Sequence, residues 1–256
     1  MDACFAVNLY LNMEKQEVLF KDLGLMDYQS AWDLQEKLLQ ENVRRKSLVH
    51  GLQDRVTDNS VSEFSLPTQH HLLFVEHTPV YTLGKSGNKA NVLLGDDELK
   101  EKNIQFFNTN RGGDITFHGN DQIVGYPILD LEKFYTDIGK YLRNLEEVII
   151  QTMAEYGLKG ERSSGETGVW IDPGIPGKER KICAIGVRCS RWITMHGFAF
   201  NVNTDLSYFN YIIPCGINNK QVTSLEKELS RKLDMQEVKE KVKRNFAEIF
   251  EVELKG

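Results

Sequence analysis

Two stretches of this chain concentrate residues that could act on a substrate. The first is Arg111-Gly112-Gly113-Asp114-Ile115-Thr116-Phe117-His118-Gly119, which sets a cation, a glycine pair and a histidine-glycine turn in one short run. Paired glycines let backbone approach a ligand closely. A guanidinium can bind an anion or a carbonyl, and an imidazole can donate a hydrogen bond or exchange a proton near neutral pH. The same residues would also suit a hairpin with an incidental Arg and His. The second stretch runs from Lys181 to Gly216, with His196-Gly197 inside it and Cys215 between Pro214 and Gly216. A cysteine flanked by Pro and Gly sits at a turn, where its sulfur can face a cleft, although a lone cysteine is commonly a small buried hydrophobe.

Nucleophilic work needs thiolate, and an unperturbed thiol of pKa about 8.5 is only a few per cent ionised at neutral pH. An ammonium about 4 Å away at an effective dielectric near 20 contributes on the order of 4 kcal/mol, equivalent to about three pKa units. Burial opposes this, because it disfavours both charged forms and makes the pair titrate together. A Lys181 and Cys215 dyad is therefore physically sensible. Of the other thiols, Cys183 falls in an apolar strand and reads as packing, while Cys189, between Arg188 and Ser190-Arg191, reads as an exposed turn residue. The four cysteines form no C-x-x-C pair, so reduced thiols without a metal are expected. His77, before Thr78-Pro79, fits either a turn or a cleft wall. Gly84-Lys85-Ser86 resembles the end of a phosphate-binding loop, but position 79, where that motif requires glycine, is Pro. A turn after a strand is the expectation there.

These residues need a scaffold. A strand is expected over Glu17 to Leu23, then an amphipathic helix from about Tyr28 with Ala31, Leu34, Leu38 and Val43 inward. Ser47 to Gln69 is polar and reads as a loop. Leu72 to Glu76 is an apolar run expected of a strand covered on both faces, and Gln122 to Leu131 is another. Asp137 to Tyr156 carries Ile138, Tyr141, Leu142, Leu145, Ile149 and Met153 on one helical face and stops at Gly157. Gly168 to Ile171, Ile182 to Arg188 and Ile193 to Val202 read as adjacent antiparallel strands. Thr223 with Glu226, and Asp234 with Glu237, have capping-box spacing, and the second opens a helix with Val238, Val242, Phe246 and Phe250 inward. Together these elements predict an α/β or α+β domain with a mixed, largely antiparallel sheet flanked by helices.

The chain has 256 residues, 31 basic and 37 acidic, for a net charge of -6. That length suits one compact domain over residues 1–256 with a core large enough to need no disulfide or metal staple. The charge argues against a nucleic-acid-binding surface, and no apolar run approaches the roughly 18 residues of a membrane span. The N-terminus shows no basic region followed by a long apolar stretch, so no export signal is expected and a cytoplasmic location is. An anionic partner would have to meet a local basic patch such as Lys85 with Lys89, or Arg188 with Arg191.

The blocks LLFVEHTPVYTLGKSG, RGGDITFHG followed by DQIVGYPILDL, GVWID, KICAIGVR and MHGFAFNVNTDLSYFNYIIPCGI, in this order, resemble the lipoyl(octanoyl) transferase family. DLGLMDYQSAWDLQ also looks like that family's first helix. The resemblance implies the biotin/lipoate protein ligase-like fold and transfer of an octanoyl group from octanoyl-acyl carrier protein to a lysine of a lipoyl domain. Acceptors would be the lipoyl domains of 2-oxoacid dehydrogenases and the glycine cleavage H protein, and no cofactor would be needed. By match, Cys215 would carry the acyl thioester and Lys181 would activate it. Arg111, Gly112, Gly113, Asp114, Ile115, Thr116, Phe117 and His118 would line the acyl pocket with Ala184, Ile185, Gly186, Gly197, Phe198 and Ala199. Where the family often has Pro-Gly-Gln after the histidine-glycine pair, this chain has Asn120-Asp121-Gln122, which removes a backbone restraint beside the pocket. An ATP-dependent lipoate or biotin ligase on the same fold would not need a nucleophilic cysteine, and a non-catalytic lipoyl-domain binder would need neither Cys215 nor Lys181.

Overall fold

A computed structural model describes residues 15–53, 67–213 and 221–256. Its elements in chain order are β1 (Gln16–Met26), α1 (Tyr28–Gln53), β2 (His70–His77), β3 (Val80–Leu83), α2 (Asp96–Glu101), β4 (Gln105–Asn108), β5 (Ile115–His118) and β6 (Gln122–Ile128). They continue with α3 (Ile138–Ala154), β7 (Val169–Ile171), β8 (Arg180–Ser190), β9 (Ile193–Asn201), β10 (Gln221–Val222), α4 (Leu225–Leu229), α5 (Met235–Ile249) and β11 (Val252–Lys255). The main sheet has the order β10-β8-β9-β6-β2-β1-β11, with β7 also paired to β8, and a small second sheet has the order β4-β3-β5. The middle of the main sheet, β2-β6-β9-β8, is antiparallel, whereas β1 runs parallel to both β2 and β11, and β10 parallel to β8. Parallel neighbours need a crossover, and α1 supplies it between β1 and β2.

Strand β2 shows why the sheet is covered on both sides. Leu72 and Phe74 join a core with Tyr141, Leu145 and Ile149 of α3 and Val242 and Phe246 of α5, while Leu73 and Val75 point into a second core with Ala31 and Leu39 of α1. Alternation of side chains across a strand puts consecutive apolar residues on opposite faces, and both faces are roofed by helices. All four inward residues expected on α5, Val238, Val242, Phe246 and Phe250, lie in the first core.

The structure changes several sequence expectations. Helix α1 runs on to Gln53 where a loop from Ser47 was expected; residues 54–66 lie outside the described residues. Its C-terminal half is held by polar contacts that hydrophobic periodicity does not register. Lys46 Nζ donates to Asp130 Oδ1 and to the carbonyl of Arg191, both at 2.9 Å, and Arg45 donates to the carbonyl of Pro67. The inward line of α1 is Tyr28, Ala31, Gln35, Leu39 and Asn42, so Leu34, Leu38 and Val43 are only partly buried. Gln35 and Asn42 are tolerated inside because each satisfies backbone groups of another segment. Gln35 Oε1 accepts from His196 N, and Asn42 both accepts from Gln69 N and donates to its carbonyl.

Thr223 does not cap α4; Ser224 does, accepting from Lys227 N, because Thr223 Oγ1 is committed to Glu228 and its N–H to the carbonyl of Lys181. Asp234 caps α5 as expected, but Glu237 turns outward to Tyr156 and Lys241 instead of closing the box. Cys189 is not a turn residue. It lies half-buried in β8 opposite Thr194, and the turn is Arg191-Trp192, both at positive φ. The charged residues around Cys189 mimic a turn in the sequence, but Arg188 is spent on Glu36 of α1 at 2.7 Å.

Candidate active site

A cavity of about 550 Å³ opens between the Arg111–His118 segment, β6, β8, β9 and the start of α3. It brings together Arg111 to Thr116, His118, Lys181, Ala184 to Gly186 and Gly197 to Ala199 from the residues expected by sequence. Phe117 turns away from it and stacks on Tyr208, with ring centroids 4.6 Å apart. Cys215 lies in residues 214–220, outside the described residues. The described chain on either side of that segment does reach the cavity, through Phe209 before it and Val222 after it. Val222 pairs with Lys181, and Ile213 N donates to the carbonyl of Asn91.

Backbone glycines let the first motif fold against β8. Gly84, Lys85 and Ser86 donate their N–H groups to the carbonyls of Asp114, Arg111 and Gly113, so the turn that resembled a phosphate loop binds protein carbonyls instead. Gly112 N donates to the carbonyl of Val187 at 2.9 Å. A Cβ on Gly84 would stand 2.2 Å from Gly113 O, and one on Gly186 would stand 2.7 Å from Gly112 O. Gly197 is equally constrained by its own sheet, with Gly125 O only 2.1 Å from where its Cβ would be. Gly186→Ala is therefore expected to push the Arg111–Asp114 loop off β8. Overpacking of this kind costs about 1–3 kcal/mol, read as a fall in urea midpoint together with a loss of transfer activity. An unchanged midpoint would show that the loop yields freely.

Arg111 is a buried organiser of this loop. Its Nη2 donates to Thr82 O, Thr82 Oγ1 and Asp114 O, and its Nη1 to Gly112 O. Beyond it runs a chain of hydrogen bonds whose polarity assigns each proton. Thr82 Oγ1 lies 3.2 Å from His118 Nε2, and His118 Nδ1 lies 3.0 Å from Gln122 Oε1. Since Gln122 Oε1 can only accept, Nδ1 carries the proton and Nε2 accepts from the Thr82 hydroxyl. Gln122 Nε2 donates on to Asn201 Oδ1, and Asn201 Nδ2 to the carbonyl of Thr223, whose own N–H bonds Lys181 O. The Arg111 loop and the Lys181 strand are thus joined by side-chain amides. Sequence reasoning missed Gln122 and Asn201, as well as Tyr28 and Tyr126 of the wall; the local signal for the amides was a polar residue at the end of an apolar run, Gln122 opening β6 and Asn201 closing β9.

The buried histidines among the described residues are held neutral. Burial, reinforced by nearby His77 and Arg111, drives His118 well below the usual imidazole range. Burial lowers His77 to about 4, and His196 to about 3 with help from Arg111 and Arg188. His77 resolves as a residue behind the cavity wall, its Nδ1 donating to Met26 O and its Nε2 accepting from Tyr126 Oη at 2.7 Å. At the far end of β2, burial lowers His70 to about 4 against the pull of Asp130. A histidine whose folded pKa lies below its unfolded value near 6.5 supports the fold above pH 6.5, and that support is lost as pH falls toward the folded pKa. For His70 and His77 the fall from pH 7 to pH 5 is worth about 2 kcal/mol each. Urea unfolding is expected to show that drop, and equal stability at pH 5 and 7 would contradict neutral burial.

Burial likewise raises the Cys183 thiol far above its usual value and raises Cys189 too, so both described thiols hold their protons at neutral pH.

The fold and this cavity define a class, and comparison with known proteins agrees. The chain belongs to the lipoyl protein ligase A/B catalytic domain family, whose model matches residues 27–247. Among solved structures it shares its fold with the bi-partite lipoate protein ligase of Thermoplasma acidophilum, at a TM-score of 0.63 and 16% identity over 94% of this chain and 86% of that one. Lipoate-protein ligase A bound with ATP matches at a TM-score of 0.62 and 15% identity over 95% and 88%.

Within the family the chain stands with the octanoyltransferases. It is 56% identical to that of Christiangramia forsetii over 94% of this chain and 98% of the relative. It is 55% identical to that of Flavobacterium johnsoniae over 93% and 99%. Octanoyl transfer, an acyltransferase reaction of protein lipoylation, is the activity this kinship carries.

Proposed function

We propose that the chain, acting as a single catalytic domain in the cytoplasm, takes its octanoyl group from octanoyl-acyl carrier protein and holds it as a thioester on Cys215. The observation that carries this reading is the convergence of Lys181, the glycine-bounded cavity and both flanks of the Cys215 segment on one site. In the first half-reaction Lys181 promotes ionisation of the Cys215 thiol. The thiolate attacks the donor carbonyl carbon, a new C–S bond forms, and the carrier's thiolate leaves with a proton from Lys181. In the second, the amine of an acceptor lysine attacks the octanoyl-enzyme. The C–N bond forms, Lys181 takes the ammonium proton, and the Cys215 sulfur departs and recovers a proton.

The acyl chain would lie along Ile138 and Leu142 of α3, which face the cavity while Tyr141 and Leu145 on the same helix face the core. Acceptors would be lipoyl domains of 2-oxoacid dehydrogenases and the glycine cleavage H protein; the Thermoplasma ligase was solved in a study with its own E2 lipoyl domain. No helix among the described residues is long and apolar enough to cross a membrane. Of the basic patches, Arg188 is paired with Glu36, which leaves exposed Lys85 and Lys89 as the surface for an acidic carrier.

Intact mass spectrometry after mixing with octanoyl-carrier protein, without ATP, is expected to show one octanoyl adduct that disappears on adding a lipoyl domain. A requirement for ATP and free octanoate would replace this reading with that of an adenylating ligase.

A further inference from the structure

Lys181, the second residue of β8, pairs with Trp170 of β7, and its Nζ lies 4.5 Å from the centroid of the Trp170 ring. Trp170 is 2% exposed, while Lys181 lines the cavity. Both strand edges around the lysine are closed. Val222 of β10 pairs with Lys181 on one side, and on the other the chain enters β7 through Gly168 at φ +120°. A Cβ on Gly168 would stand 2.5 Å from Cys183 O, so glycine there lets β7 close against β8, while Lys181 Cε, 3.6 Å from that point, would remain in ordinary contact. Charged and titratable groups near this spot are Glu166, which shares the cavity wall, Glu146 of α3, which accepts from Gly168 N, the Cys183 thiol, and Arg180, which is committed to Asp172 and Glu228.

We propose that Trp170 is a positioning residue for acyl transfer: its indole face holds the Lys181 ammonium at the cavity wall, in the place from which it acts on the thiol and on the incoming amine. The proposal rests on the reading of Lys181 as the acid-base group. The ring quadrupole attracts an ammonium and not a neutral amine, and tryptophan does so more strongly than phenylalanine, with an aliphatic side chain contributing nothing. Trp170 therefore does two things. It fixes the position of a side chain that otherwise has four rotatable bonds, and it keeps that side chain's positive charge at the cavity wall.

Fluorinated tryptophans test this without changing shape, because fluorine drains the ring quadrupole while the indole keeps its packing. They would be incorporated into a Trp32→Phe, Trp192→Phe protein, which leaves Trp170 as the only site. Two quantities are read: the single-turnover rate of octanoyl transfer, and the pH midpoint of Cys215 alkylation by iodoacetamide, followed by peptide mass spectrometry. Increasing fluorination is expected to lower the rate progressively, by roughly tenfold across the series, and to move the alkylation midpoint upward. Trp170→Phe should fall within the series and Trp170→Leu below it. A flat series in both quantities would overturn the proposal and leave Trp170 as packing. Lys181→Ala separates the two claims. If it loses transfer while the fluorinated series stays flat, only the role of Trp170 falls. If it retains full transfer, the acid-base reading of Lys181 falls, and any remaining fluorine effect cannot come from that lysine.

Discussion

Replacing Cys215 by alanine is expected to remove octanoyl transfer, lowering turnover by about a thousandfold or more. A covalent route loses its acceptor atom with the sulfur, and removal of a nucleophile is among the largest single losses an enzyme shows. Neither described thiol offers a substitute. Cys183 sits in the core of β8 and Cys189 is half-buried near the hairpin, and burial keeps both protonated. The octanoyl adduct should vanish from the intact mass spectrum of Cys215→Ala while the circular dichroism spectrum stays that of the parent. An adduct that persists in this variant would move the nucleophile elsewhere.

Lys181→Arg is the second large effect and a more discriminating one. Arginine keeps the charge and can lie over the same Trp170 face, but it does not give up its proton at accessible pH. The charge-dependent half of the work, stabilising thiolate, should survive in part, with the departing carrier thiolate taking its proton from solvent. The half that requires taking a proton from the acceptor ammonium should fall by about 10²–10⁴-fold. The expected result is an enzyme that acquires the octanoyl group from the carrier and then retains it, accumulating adduct in the presence of a lipoyl domain. Near parental turnover would mean that a positive charge is all that position 181 supplies.

Much of this site was legible in the residues themselves. The Arg111–His118 motif and the Lys181 strand announce themselves because reactive or conformationally special residues are uncommon and stand in local patterns; Cys215 lies outside the described residues. The covered strand at Leu72 and the apolar face of α5 were legible for a related reason: side-chain periodicity reports which face is buried. The chain of Thr82, His118, Gln122 and Asn201 was not. Its members belong to four strands, β3, β5, β6 and β9, and Thr82 meets His118, and Gln122 meets Asn201, only when β3 pairs with β5 and β6 with β9.

The same division explains the expectations that changed. By itself the sequence determined the mixed helix and strand class, the segments around Arg111 and Lys181 that line the cavity, and that Gly84-Lys85-Ser86 is a turn and no phosphate loop, since each depends on residue type and near spacing. Tertiary structure decided that Arg111 spends its guanidinium on protein carbonyls, and that Phe117 leaves the cavity while Tyr126 lines it. It also decided that α1 buries Gln35 and Asn42 and extends to Gln53 on polar contacts. A polar side chain is stable inside only if a partner from elsewhere in the chain satisfies it. Where that partner lies is a property of the folded arrangement and is written in no local pattern.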